Sequence, residues 1–305
     1  VGLELFARGE RAQDERRRPI RSKALGLGSA VAAIVLLSGC SEDAESQWER
    51  LALPIGASDR TESMFVLWVA AWIACAVVLV LVLGLMFWAM VRYRRRPGNE
   101  VPTQLRYHLP LEVLYTVAPV IIVAIFFAQT VIAQNEMLEK VDDPDHTITV
   151  VGSKWQFTFN YLDEEATGGE DVFDFGDTSD PTELWLPVDE SVRFDLVSPD
   201  VIHSFWIPEF YFKQDVIPGK INSFDVTPTR EGVFTGRCAE LCGLYHTRMI
   251  FKVHVVSRDE YDAHLQKLQA AGQIGQPEGG AEAYRIAGLA EAKKAAAHEE
   301  NGEDE

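Results

Sequence analysis

Twelve residues towards the C-terminal end of the chain, CAELCGLYHTRM from Cys238 to Met249, gather two cysteines, a glutamate, a histidine and a methionine. The whole sequence of 305 residues has only four cysteines, so this loop takes half of them. Thiolate, imidazole and thioether are soft donors that suit copper, whereas harder ions take carboxylates, carbonyls and water. One Cys with two His and a Met would make a mononuclear blue-copper set. Here the two cysteines, with three residues between them, can both bridge a pair of metals. A second imidazole must come from elsewhere, and His203, in PDVIHSFWIP, sits at a predicted strand end that a β-sandwich can bring beside the loop. The full pattern is V-x-H-x34-C-x3-C-x3-H-x2-M. A Cys238–Cys242 disulfide, which an oxidising compartment permits, and a Cys-rich zinc site compete with this reading. The disulfide would make the His and Met spacing a coincidence, and zinc has little use for an axial methionine. His146, His254, His264 and His298 match no motif position and read as ordinary surface or sheet residues.

The elements that must position these donors follow from composition. Apolar residues are concentrated in long runs, whereas the acidic excess behind the net charge of -18 falls mainly after residue 138. That asymmetry predicts a membrane-bound front half and an acidic, water-facing back half. It argues against nucleic acid, because phosphates repel such a face, and favours a basic protein partner. Residues 1–39 read as a lipoprotein-type signal peptide: a basic stretch, a short apolar run and the box LSGC, with Cys40 as the acylated first residue of the mature chain. A signal anchor with an incidental cysteine is the plainer alternative. An extracytoplasmic segment, 40–63, follows.

Residues 64–134 read as a transmembrane helical hairpin. Met64 to Val91 carry no charge, enough at about 1.5 Å per residue to cross a hydrocarbon core of about 30 Å. Cys75, mid-run, is a packing residue. Arg92 to Arg96 follow at once and place that end in the cytoplasm. Leu114 to Ala133, with Pro119 inside, bring the chain back out, and His108 lies near the cytoplasmic mouth of this second run. Residues 135–258 then supply several short β-branched and aromatic stretches separated by Pro, Gly and Asp turns, predicting an antiparallel sandwich or barrel. An acidic insertion at about 163–182 reads as a mobile surface loop. Residues 259–305 are expected to form one amphipathic helix and then, from Gln273, an acidic tail that is disordered or loosely helical.

Taken together, the motif and the hairpin resemble subunit II of the haem-copper cytochrome c oxidases, over roughly residues 64 to 260. That resemblance implies a two-helix hairpin bearing an all-β, cupredoxin-like Greek-key domain with a dinuclear CuA centre. By it, Cys238 and Cys242 bridge two copper ions, His203 and Met249 complete one copper, and His246 with the main-chain carbonyl of Glu240 completes the other. The Glu240 side chain would help hold a magnesium ion shared with subunit I. Trp155, in GSKWQFTFNY, matches the tryptophan at which cytochrome c passes its electron, yet Gln156 and Asn160 stand where the family has a further aromatic and a carboxylate. Glu112, just after Pro110, resembles the family's glutamate at a proton-channel entrance, beside the plainer reading of an acid stabilising a helix N-terminus by about 0.3–1 kcal/mol. Asp200 and Asp215 match acids near the interface with subunit I or the cytochrome.

The implied activity is electron transfer from a c-type cytochrome through CuA to haem in subunit I, for reduction of oxygen to water coupled to proton pumping. The implied partners are the other oxidase subunits and, in the actinobacterial type suggested by the signal, the insertion and the altered Trp155 strand, a membrane-bound cytochrome in a bc-oxidase supercomplex. The location is the bacterial cell membrane, with the C-terminal domain outside. A copper-free quinol oxidase subunit II and a copper-carrier lipoprotein are the alternatives; the intact donor set speaks against the first and the two-helix hairpin against the second.

Overall fold

The computed structural model describes residues 48–94 and 104–279. The signal segment, Cys40, Arg95 and Arg96, His298 and the acidic tail beyond Gly279 lie outside these described residues. Trp48 to Pro54 make a short turn of their own.

Helix α1 spans Thr61–Arg92 and helix α2 spans Leu109–Met137, each apolar and long enough to cross a bilayer. None of the α1 residues is buried within the chain. A surface this apolar is stable only against lipid or another membrane subunit. Both helices run beyond the uncharged stretches seen in the sequence, because polar first and last turns can lie in the headgroup region. Pro119 sits inside α2 without ending it. At the outer end, the Arg60 guanidinium donates to the carbonyls of Glu136 (2.7 Å) and Glu139 (3.1 Å) and so ties the start of α1 to the end of α2.

The outer domain has ten strands: β1 His146–Ser153, β2 Gln156–Leu162, β3 Val172–Phe175, β4 Glu183–Pro187, β5 Val192–Val197, β6 His203–Ile207, β7 Phe212–Val216, β8 Asn222–Val226, β9 Gly232–Cys238 and β10 Ile250–Val256. They form two five-stranded sheets, in the orders β3-β2-β1-β5-β8 and β4-β10-β9-β6-β7. Alternation along β2 sends Phe157, Phe159 and Tyr161 inward, where Phe157 and Phe159 meet Phe205 of β6 and Phe251 of β10 from the other sheet. Aromatic pairs of this kind add about 0.5–1.5 kcal/mol each beyond their area burial. The sandwich is not purely antiparallel as expected: β1 pairs with β5, and β10 with β4, in parallel. Parallel neighbours require long crossovers, which the chain supplies by passing between the sheets.

Two stretches read as loose are ordered. Within the acidic insertion, β3 adds to the edge of β2, and Val172 and Phe173 are fully buried despite their charged neighbours. Past helix α3, Arg258–Ala270, the chain continues over the same sheet rather than dissolving at Gln273. Phe173 N–H donates to the Gln273 carbonyl (3.0 Å), Gly275 N–H to the Asp171 carbonyl (2.8 Å), and the Asn160 side chain to the Pro277 carbonyl (3.2 Å). These bonds cover an edge that would otherwise present unpaired backbone groups. Helix α3 starts on a capping box, with Ser257 and Glu260 exchanging bonds, and buries Tyr261, Leu265 and Leu268.

The chain between residues 55 and 60 is also bound to the domain before it enters α1. Ala57 N–H donates to the Glu209 carbonyl (2.8 Å), and Ser58 pairs with Pro228. At the other helix end, Val141 N–H donates to Asp225, which is itself paired with Arg193. The hairpin and the β domain are thus joined by bonds on both of the segments that connect them.

Candidate metal centre

His203 opens β6, Cys238 closes β9, and Met249 directly precedes β10, so three adjacent strands of one sheet deliver three donors to the same end of the sandwich. The loop between β9 and β10 adds Cys242 and, on a single 3-10 turn, His246. Two backbone bonds hold the loop at its root: Cys238 N–H to the Met249 carbonyl (2.9 Å) and Ala239 N–H to the Ser204 carbonyl (3.0 Å). The Cys238 and Cys242 sulfurs lie 3.8 Å apart, and both thiols are free. His203 Nδ1 is 3.9 Å from the Cys238 sulfur, His246 Nδ1 is 3.6 Å from the Cys242 sulfur, and Met249 Sδ is 3.7 Å from the Cys242 sulfur. The Glu240 carbonyl oxygen lies 3.2 Å from the Cys238 sulfur, while the Glu240 side chain is exposed.

This arrangement can hold metal. Metal–thiolate bonds are about 2.3 Å, so one ion can touch both sulfurs across their present gap. Among the described residues, His203, Cys238 and Cys242 are the group of strong ligands whose donor atoms all lie within 4.8 Å of one another. His203 is fully buried, and Cys238, Cys242 and Met249 are 5%, 4% and 1% exposed, so these four donors are shielded from water, while His246 is half-buried. Burial, together with the neighbouring Cys238 sulfur, pushes the Cys242 thiol up to about 12. Metal-free, this sulfur therefore carries its proton at neutral pH, and a metal must displace it.

A carboxylate fixes the buried imidazole. Asp200 Oδ1 lies 2.9 Å from His203 Nε2, which leaves Nδ1 facing the sulfurs. Asp200 is held in turn by backbone N–H groups of Lys154 (2.8 Å) and Val201. Burial pushes the Asp200 carboxyl up, but these bonds outweigh it and leave the group below the usual carboxylate range. Burial also pushes His203 down, and the Asp200 bond only partly opposes this. A neutral imidazole oriented by a carboxylate is the usual state of a metal-bound histidine. Asp200, which the sequence suggests near an interface, also contacts His203; its spacing three residues before His203 is a signal visible in the sequence.

Comparison with known proteins decides the family. Residues 146–256 match the family described as cytochrome C oxidase subunit II, periplasmic domain, and residues 46–130 match its transmembrane domain. A probable cytochrome c oxidase subunit 2 of Streptomyces avermitilis is 39% identical over 94% of this chain and 96% of its own length. The chain belongs to the cytochrome c oxidase subunit II family. A Mycobacterium tuberculosis cytochrome c oxidase subunit 2 is 32% identical over 80% of this chain and 81% of that one. Among solved structures, the periplasmic domain of subunit II of the Bradyrhizobium japonicum oxidase is 28% identical, covering 43% of this chain and 98% of that one, with a TM-score of 0.39. This subunit II is a membrane protein with two apolar spans among the described residues and its C-terminal domain on the extracytoplasmic side.

The remaining residues singled out in the sequence fall into two groups. Trp155 lies at the metal centre, at the tip of the β1–β2 hairpin, and its indole N–H donates to the Cys242 carbonyl (3.2 Å). Glu112 is far from it, in the first turn of α2, where its carboxylate accepts the His108 backbone N–H (2.8 Å) and acts as a cap. Asp215, on β7, lines a cleft between the outer ends of α1 and α2 and the β7–β8 turn, with Lys213 and Lys220. Cys75 faces a membrane-level groove between the helices.

Of the histidines outside the motif, His146 and His254 lie on strands, as expected, whereas His264 lies on α3. His146 is 3% exposed, with Nδ1 2.9 Å from Glu164 and Nε2 2.9 Å from Glu190. Tyr261 donates to Glu164 (2.8 Å), and Arg258 pairs with Glu190 (2.6 Å). His254 of β10 and His264 of α3 both stack on the Trp185 ring, at 4.5 and 4.4 Å between ring centres. Their partners are distant in sequence, which is why no local motif announced them.

Proposed function

We propose that this subunit II accepts electrons one at a time from a c-type cytochrome outside the membrane and relays them to the haem of subunit I, where oxygen is reduced to water with proton translocation. The observation that carries the reading is the convergence of three further donors, His203, His246 and Met249, on the buried pair of thiols Cys238 and Cys242. In this reading Cys238 and Cys242 would together hold two copper ions, with His203 and Met249 as further ligands for one and His246 and the Glu240 carbonyl as further ligands for the other. Bound there, copper supplies a one-electron couple shared across both thiolates. The chain supplies rigidity: β6, β9 and β10 fix three donors, and Asp200 fixes one imidazole, so the ligand frame need not move when charge changes. A frame that stays still lowers the reorganisation accompanying electron transfer.

The other assignments are part of the same reading. Trp155 is the residue at which the electron arrives, its indole bonded to the loop of the bridging sulfurs. The exposed Glu240 side chain joins subunit I in holding magnesium. Glu112, beyond capping α2, loads protons from the cytoplasm at a channel entrance in subunit I. Cys40 is the acylated residue of a lipoprotein. The donor in this reading is a membrane-bound cytochrome of a bc-oxidase supercomplex. The test is rapid mixing of reduced c-type cytochrome with the intact oxidase. The copper near-infrared band should bleach before the haem of subunit I is reduced. Haem reduction at the wild-type rate in a Cys242→Ser variant would refute the relay.

A further inference from the structure

Trp155 is held from two sides by the metal loop, and one of the two contacts has no counterpart in the ligand motif. Its indole N–H donates to the Cys242 carbonyl (3.2 Å), although the residues are 87 positions apart in sequence. Gly243 makes that approach feasible. A Cβ there would stand 3.1 Å from the indole nitrogen, and the backbone angle φ of +122° is one that favours glycine. The second contact is Tyr245, whose ring meets the indole edge-on, with centres 5.0 Å apart and planes at 89°. Tyr245 is itself 40% exposed and immediately precedes His246. In the strand that follows Trp155, the next side chain, Gln156, is buried and is not aromatic. The aromatic companion of Trp155 on this surface therefore comes from the loop and not from the strand.

We propose that Tyr245 is a positioning residue for electron uptake. Its ring fixes the Trp155 indole in the orientation that bonds the Cys242 carbonyl, on the face where a one-electron haem donor docks. The inference rests on the relay described above. The step is a bare electron transfer: the donor haem loses one electron, the metal site gains it, no bond is made or broken and no proton moves. What Tyr245 supplies is edge-to-face contact, which depends on the ring and not on the hydroxyl.

Two variants of the intact oxidase separate this role from a merely structural one. In Tyr245→Phe, donor oxidation should stay within about twofold of wild type, whereas Tyr245→Leu should slow it by roughly 3- to 10-fold, the rate equivalent of one aromatic pair. The copper spectrum and the rate of reduction by hexaammineruthenium(II) should be unchanged in both. A readout independent of metal is exchange of the Trp155 indole N–H in the copper-free chain, identified by its loss in Trp155→Phe. That exchange should accelerate in Tyr245→Leu and not in Tyr245→Phe. The proposal is overturned if Tyr245→Leu leaves donor oxidation unchanged, whether or not indole exchange rises. It is equally overturned if that variant loses the copper spectrum, since Tyr245 would then be holding the ligand loop itself. Absence of a two-copper spectrum in the wild type, or a normal rate in Trp155→Phe, would instead bring down the relay on which it rests.

Discussion

Two buried histidines mark the two ends of the outer domain and have opposite characters. His146 begins β1, and His203 packs against Gly152 near the end of the same strand, roughly 20 Å away at about 3.3 Å per residue. Each is buried and each has a carboxylate within 2.9 Å. At His203 the single carboxylate takes one ring nitrogen, burial dominates, and the imidazole is pushed down towards its neutral form. At His146 burial also pushes down, but Glu164 and Glu190 occupy both ring nitrogens and outweigh it, so the imidazole is raised and favours the cation. In this domain the two imidazoles, both buried, differ in the number of carboxylates that face them, one at His203 and two at His146. One partner leaves a lone pair for metal; two leave none.

The largest effect separating the two ends should come from the sulfurs. Cys242→Ser should abolish the two-copper electron paramagnetic resonance signal and oxidase turnover, while a chemical denaturation curve of the metal-free chain shifts little. Next, Glu164→Ala should unfold the opposite end first. Removing one member of a buried pair costs about 3–5 kcal/mol, measured as a fall in the denaturation midpoint, and the copper spectrum of the folded fraction should not change.

Asp200→Ala lies between these extremes. Losing the carboxylate that orients a ligand histidine should weaken copper retention by about 10- to 100-fold, read by competition with a chelator, with little loss of stability. The smallest effect is that of pH. Because the folded value of His146 is raised, its contribution to stability is fully present below the unfolded value of about 6.5 and is lost as pH rises through the folded value. The denaturation midpoint of the metal-free chain should therefore fall on the alkaline side, and His146→Gln should remove that part of the slope. An unchanged slope in that variant would mean that His146 is neutral and the contrast with His203 false.

Much of this was legible in residue order. The uncharged run from Met64 to Val91 can only be a span, and the spacing of Cys238, Cys242, His246 and Met249 places donors on one short loop whatever the surrounding sheet. His203 was reachable because a sandwich brings strand ends together. What could not be read depends on pairing between distant segments. Val172 and Phe173 are masked by acidic neighbours and show their strand character only because β2 offers an open edge. The parallel pairing of β1 with β5 is a property of topology, not of either strand. The His146 network draws Glu164, Glu190 and Arg258 from 18, 44 and 112 residues away, and no spacing rule reaches that far.

The most direct test of the central claim is the copper content and electron paramagnetic resonance spectrum of the full chain, purified in detergent and loaded with copper. The account predicts two coppers per chain and a hyperfine pattern from one spin shared equally between them. A single copper with a localised spin, or a chain that takes up none while its thiols are reduced, would contradict it.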